Sequence, residues 1–389
     1  MMQIMPRQQN VIPIPTTRPI FGKSHHAFRE RVRDFLTVEI LPEYPDWMTA
    51  GQPSRRFWER AGDIGILGIG VPEEYGGLPD SDFRHSMIVT EEIQRLGLAI
   101  GGLRVQTDIC TPYFLHSATA SQRQQWLPQI VTGQTVMALG LSEPGAGSDL
   151  KALRTRAIHD GDEFVVDGAK TFISNGSIAD LVVLAVKTDP AAGRQGISLL
   201  LVPTDTHGFT PGRKLHKLGL HAQDLAELSF TAMRVPATSL LGEQNQGFAI
   251  LTSNLAAERL SIAVNSQAAA TAALEWTVED LAATNLGQDA KFTLAALAAD
   301  VAAGQTLIDR AVQRLLAQDL SGAEAAAAKL FCTELQGRVV RQCLSLSTPG
   351  PSYRTDSRLG QAYLDGRVSR IYGGSTEIMK VIIGRDLGL

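Results

Sequence analysis

Apolar positions recur every three to four residues in SHHAFRERVRDFLTVEI and FRHSMIVTEEIQRLGLAI, and this spacing predicts helices from about Lys23 to Gly133. Gly68-Ile-Gly-Val-Pro and Tyr75-Gly-Gly-Leu-Pro interrupt the block with residues that turns require. The period then changes. VMALGLSEP, EFVVDG, KTFIS, LVVLAV and GISLLLVP are short, β-branched-rich runs separated by Gly, Asp, Asn and Pro, which predicts an antiparallel β domain continuing through LAELSFTAMRVP. Helical spacing resumes after Leu241-Gly242 and persists almost to the C-terminus, so the predicted order is α, β, α. The expected units are an arm (1–22), a helical domain (23–134), a β domain (135–241) and a helical bundle (242–389). The Ala-rich run at Ala323–Ala328 reads as a closely packed helix, and no fixed-period repeat is present.

Length agrees with this division, since 389 residues at about 150 per domain give two or three units. With 44% hydrophobic and 20% charged residues, the chain has an ordinary globular composition. A net charge of −4 without a basic cluster argues against a nucleic-acid partner. The longest apolar runs are strand-length, well below the roughly 20 residues of a membrane helix, and the Pro-broken start lacks a secretory h-region. Cys110, Cys332 and Cys343 are odd in number and lack metal-ligand spacing, which suits a reducing compartment and leads us to expect a cytoplasmic enzyme without a metal.

Four stretches carry candidate chemistry. Leu141-Ser-Glu-Pro-Gly-Ala-Gly-Ser-Asp149 is a Gly-rich loop after a strand, with Ser142 and Ser148 as short donors suited to a flavin edge or phosphate; a plain turn is the alternative. In Lys170-Thr-Phe-Ile-Ser-Asn-Gly176, alternation puts Phe172 and Ser174 on one strand face, where they suit a planar heterocycle, although the segment read alone favours a half-buried strand entering an Asn-Gly turn. Leu251, Leu255, Glu258 and Ile262 are spaced i, i+4, i+7, i+11, so Glu258 falls on an apolar helical stripe. Burial there would raise its pKa and poise it as a general base; the alternative is a rim glutamate paired with Arg259. Finally, Gly373-Gly374 precedes a capping Ser375 or Thr376 and a helix, so its N–H groups could bind a carbonyl oxygen or phosphate, or merely begin the helix.

Taken in order, LSEPGAGSD, KTFISNG, RKLHKLGLHAQDLAELSF, AAERLSIA and IYGGSTEIMKVIIGRD resemble the acyl-CoA dehydrogenase family, nearest the long-chain and isovaleryl branch, from about Lys23 to Asp386. The resemblance implies an α+β fold with an N-terminal helical domain, a central antiparallel β domain and a C-terminal four-helix bundle. It also implies FAD, an acyl thioester substrate, an electron-transfer flavoprotein as acceptor, and a dimer or homotetramer. Many members carry a base in a Tyr-Glu-Gly turn, where this chain has Tyr372-Gly373-Gly374; the branch instead uses a helical glutamate before an arginine, matched by Glu258-Arg259. On this basis Glu258 takes the α proton and the Gly373 N–H polarises the thioester carbonyl. Leu141, Ser142, Phe172 and Ser174 line the isoalloxazine, Ser375 and Glu377 hold the diphosphate and adenosine end, and Ser148 and Arg259 face the substrate.

Two departures concern the FAD tail. The family's Arg-x-x-Phe-Gly, supplied to a neighbouring subunit, is here Ala283-Thr-Asn-Leu286-Gly287, and its Gln-x-x-Gly-Gly-x-Gly loop is Ser345-Leu-Ser-Thr-Pro-Gly-Pro-Ser352. One lost charge-assisted bond of about 1.5–3 kcal/mol weakens FAD binding roughly tenfold to a hundredfold. The reaction centre is untouched by either change, so a working enzyme with a reshaped adenosine site is expected. The drift also raises acyl-carrier protein, in place of CoA, as the acyl donor. Oxygen-using oxidase and flavin-free thioester binder are the competing readings.

Overall fold

The structure is a computed structural model that describes residues 18–346 and 354–389. The first layer holds α1 (Lys23–Phe35), α2 (Leu41–Ala50), α3 (Arg55–Asp63), α4 (Phe83–Arg95), α5 (Gly101–Arg104), α6 (Thr111–Ser117) and α7 (Ala120–Val131). Two π-helical turns, Leu36–Ile40 and Val105–Cys110, widen the helical path. Local chemistry sets the helix starts: the Asp82 side chain accepts the Arg84 N–H at 2.9 Å, and the Thr119 hydroxyl accepts that of Gln122 at 3.2 Å. Inside the layer, buried Glu92 binds three arginines, with Arg29, Arg33 and Arg95 at 2.9–3.0 Å. Of the expected arm, residues 1–17 lie outside the described residues.

The second layer is an eight-stranded sheet of β1 (Met137–Gly140), β2 (Arg156–Asp160), β3 (Glu163–Ser174), β4 (Leu181–Lys187), β5 (Ile197–Pro203), β6 (Phe209–Lys214), β7 (Leu225–Pro236) and β8 (Leu240–Leu241). Its order is β6-β7-β3-β2-β4-β5-β8, with β1 on β4. The β2–β3, β3–β7, β4–β5, β5–β8 and β6–β7 ladders are antiparallel; β1 joins β4 in parallel, as does a single β2–β4 pairing. The unbroken apolar runs of β4 and β5 follow from burial of both faces. Leu181, Val183, Leu199 and Leu201 pack with Tyr113, Phe114, Leu127 and Ile130 of the helical layer, whereas Val182, Leu184, Leu200 and Val202 meet Phe164, Leu228 and Phe230 of the sheet itself.

The third layer contains α8 (Gly247–Ser253), α9 (Leu255–Leu281), α10 (Gln288–Leu316), α11 (Gly322–Leu346), α12 (Arg358–Gly366) and α13 (Thr376–Asp386). Small side chains let α9 and α11 approach closely: Ala263, Ala270 and Ala273 on one and Ala325, Ala326 and Ala328 on the other are fully buried. The Ala-rich run is thus the packed helix its composition predicts. All three cysteines are buried thiols rather than disulfides, and among the described residues no helix is long and apolar enough to cross a membrane.

Candidate active site

Glu258 sits in the first turn of α9, just past a break at Asn254 that separates α8 from α9. The break is tied down from the helical layer. Asn254 Nδ2 donates to the Asp108 carbonyl at 2.9 Å, and the Ser261 hydroxyl donates to the Asp108 carboxylate. Asp108 belongs to the Val105–Cys110 π-helical turn, the kind of distortion that often accompanies a functional site. Glu258 is half-buried, and the surrounding protein raises its pKa by desolvation, an effect that Arg259 and then Lys329 oppose. Arg259 is buried, and its Nε has no hydrogen-bond partner among the described residues; burial pulls its pKa down and Glu258 pulls it up.

Facing this carboxylate is the glycine turn. Gly373 and Gly374 have φ of +63° and +95°, a region that disfavours side chains. A Cβ on Gly373 would stand 3.4 Å from Glu258 Oε1 and 2.2 Å from Ile262 Cδ1. Positions 258 and 373 therefore converge on one point in space, and glycine at 373 leaves room for the helical carboxylate. Ser375 caps α13, its hydroxyl accepting the Ile378 N–H at 3.4 Å, while Glu377 is exposed one residue into the helix.

A second group surrounds the loop after β1. Lys170, 1% exposed, donates to Glu143 Oε1 at 2.8 Å and to the Leu141 carbonyl at 3.2 Å, and Glu143 also accepts the Arg154 and Thr155 N–H groups at 2.7 and 2.9 Å. The Ser142 carbonyl accepts the Thr171 N–H at 2.9 Å, so Leu141 and Ser142 are fixed against β3. Burial pulls Lys170 down to about 8 against the opposing effect of Glu143. A bulge between Lys170 and Ile173 breaks the simple alternation, and Phe172, at φ +58°, holds its ring 65% exposed. The Ser174 hydroxyl accepts from Gln223 Nε2 at 2.8 Å, and buried Gln223 Oε1 has no hydrogen-bond partner among the described residues. Ser148 lies exposed on the same loop, where Gly145 and Gly147 face open space.

Helix α5 joins the two groups. Its Gly101 abuts Gln223 Oε1, where a Cβ would come within 2.3 Å, and its Arg104 donates to the Tyr372 hydroxyl at 3.3 Å. The structure thus brings Glu258, Arg259 and Gly373 together, while Ser174 meets α5 through Gln223, and Leu141 and Ser142 are held against the strand that carries Phe172 and Ser174. Ser375 and Glu377 stay with the glycine turn, and Ala283–Gly287 forms an exposed linker between α9 and α10, with only Leu286 partly covered. Of the Ser345–Ser352 segment, residues 347–352 lie outside the described residues. Sequence reasoning missed Lys170, Glu143, Asp108, Gln223 and Lys329. Lys329 left a signal, because it shares a helical stripe with Ala325, Ala328 and Cys332.

A desolvated carboxylate facing a glycine turn that offers N–H groups, together with an exposed aromatic beside a pinned Gly-rich loop, suits an oxidoreductase that removes a carbon-bound proton. The chain matches the N-terminal, middle and C-terminal domains of acyl-CoA dehydrogenases over residues 22–134, 138–233 and 245–388. It is 38% identical over 379 residues to the long-chain specific acyl-CoA dehydrogenase of Sus scrofa, covering 95% of this chain and 88% of that one. It is 27% identical to the isovaleryl-CoA dehydrogenase of Pongo abelii, covering 97% and 92%. A crystal structure of an acyl-CoA dehydrogenase from Geobacillus kaustophilus superposes with a TM-score of 0.93 at 42% identity, covering 96% of this chain and all of the other. The protein belongs to the acyl-CoA dehydrogenase family, whose members are FAD-dependent oxidoreductases acting on CH–CH bonds. The exposed Phe172 ring, the orphaned Gln223 Oε1 and the open space at Gly145 and Gly147 fit a planar cofactor at this loop.

Proposed function

We propose that this protein dehydrogenates an acyl-CoA between Cα and Cβ to the trans-2-enoyl thioester, with Glu258 as the α-proton base and an electron-transfer flavoprotein as acceptor. The observation that supports this most is the convergence of the Glu258 carboxylate on Gly373, where desolvation by the surrounding protein raises its pKa. Glu258 takes the α proton onto a carboxylate oxygen. The Gly373 N–H polarises the thioester carbonyl and stabilises the enolate-like charge that develops. FAD, when bound, supplies the acceptor for the hydride leaving Cβ. Leu141, Ser142, Phe172 and Ser174 line its ring, Ser375 and Glu377 hold its tail, and Ser148 and Arg259 contact the substrate arm. The active form is a homodimer or homotetramer.

The test begins with the visible spectrum of the purified protein with and without added FAD, followed by anaerobic titration with acyl-CoA esters. Bleaching of the oxidised-flavin band by wild type, and its loss in Glu258→Gln, supports the proposal. A flavin band that no acyl-CoA bleaches but an acyl-carrier thioester does would move the substrate to the carrier. Peroxide release matching turnover in air would make the enzyme an oxidase, and no flavin band after reconstitution would leave a thioester binder.

A further inference from the structure

Lys329 is 1% exposed on α11, and its ammonium donates to the Gly374 carbonyl at 2.5 Å. That carbonyl belongs to the turn whose preceding residue faces Glu258 Oε1. A lysine buried this deeply is costly unless it is partnered, and the proton transfer described above does not use it. We infer that Lys329 is a positioning residue that holds the Gly373–Gly374 turn through the Gly374 carbonyl and, as a fixed cation inside the bundle, keeps Glu258 ionised. This rests on the reading of Glu258 as the base.

A desolvated base needs a counter-charge, because desolvation alone drives a carboxylate to its neutral form. The titratable groups that act on Glu258 or respond to it are Arg259 on its own helix, Lys329 from α11, Cys110 from the π-helical turn and Tyr113 from α6. Burial pushes the Cys110 thiol and the Tyr113 phenol up, so both are neutral at physiological pH. Only the two cations can offset desolvation, and Lys329 alone also grips the turn. Burial, and then the like charge of Arg259, pull Lys329 down to about 8 despite Glu258. The counter-charge therefore fades in mildly alkaline solution.

The experiment uses the flavin-loaded protein and infrared difference spectroscopy, reading the protonated-carboxyl band that Glu258→Gln removes. Lys329→Met raises the pH at which that band disappears by about one unit. Lys329→Gln, which keeps an N–H donor for Gly374 without the charge, does the same, while Lys329→Arg stays near wild type. In steady-state turnover the acid limb of kcat moves to higher pH in the Met and Gln variants. An unmoved carboxyl titration, with kcat lowered evenly at all pH values, overturns the inference. If Lys329→Met does not fold, Lys329→Gln carries the test. Full turnover by Glu258→Gln would instead remove the base assignment, and the infrared titration would still decide whether Lys329 sets the ionisation of Glu258.

Discussion

Adding one methyl group at Gly373 tests the geometry of the site. In Gly373→Ala the new Cβ lies 2.2 Å from Ile262 Cδ1, where ordinary contact begins near 3.4 Å, so one of the two must yield by about 1 Å. Ile262 is 2% exposed, so its terminal methyl, the free end of the side chain, turns away only by repacking among buried neighbours. The displacement is shared between that methyl and the turn, which also bears the cost of a side chain at φ +63°, about 1–2 kcal/mol. A 1 Å displacement of an aligned group costs about 100-fold in rate. We expect kcat with an acyl-CoA to fall by about two orders of magnitude and the thermal midpoint to drop by a few degrees. Removing the obstacle should reverse part of this, so Gly373→Ala combined with Ile262→Ala should recover at least tenfold in kcat over Gly373→Ala alone. Turnover by Gly373→Ala within twofold of wild type, or a double variant no faster than the single, would refute the reasoning.

Glu258→Gln is expected to lose about 10²–10⁴ in kcat while still binding the thioester; the acid limb of wild-type kcat should lie above the usual glutamate range, because desolvation raises this carboxyl. Both are read from a pH series of turnover. For Glu92, burial raises the pKa, but hydrogen bonds and charge from Arg33 and Arg95 prevail and hold it at about 2. That stability is fully present above the unfolded value near 4.5 and is lost as pH falls through about 2; Glu92→Gln should abolish this part of the acid transition, on the order of 3 kcal/mol, in denaturant titrations between pH 5 and 2. Ala283→Arg should improve flavin retention after desalting by roughly tenfold, and unchanged retention would show that position 283 does not reach the cofactor.

Much of the architecture was legible because period and composition agreed with it. The shift from helical spacing to short β-branched runs marked the layers, whereas the continuous stripe through Leu251, Leu255, Glu258 and Ile262 does not form: Leu251 belongs to α8, the break at Asn254 starts a new helix, and Leu255 and Glu258 are half-buried. The parallel pairing of β1 with β4 was not legible, because both strands read as apolar runs and neither says which neighbour it will meet. The ion pair of Lys170 with Glu143 was hidden for a related reason: each looks like an ordinary polar residue in a loop or strand until the fold brings them within 2.8 Å. The bulge at Phe172 likewise depends on a tertiary register shift that local alternation does not encode. Lys329 stood on a visible stripe, but its target, a backbone carbonyl 45 residues away, carries no side-chain signature.

The buried pair of Glu143 and Lys170 also bears on how the protein acquires its cofactor over time. If the start of the 141–149 loop lines the flavin ring as proposed, the contacts that hold Leu141, Ser142 and Glu143 against β3 leave less ordering entropy to be lost there on association. Flavin uptake should then proceed at a rate governed by encounter rather than by loop rearrangement. A weakened grip on the far end of the molecule, as at Ala283, would show itself in how quickly flavin leaves.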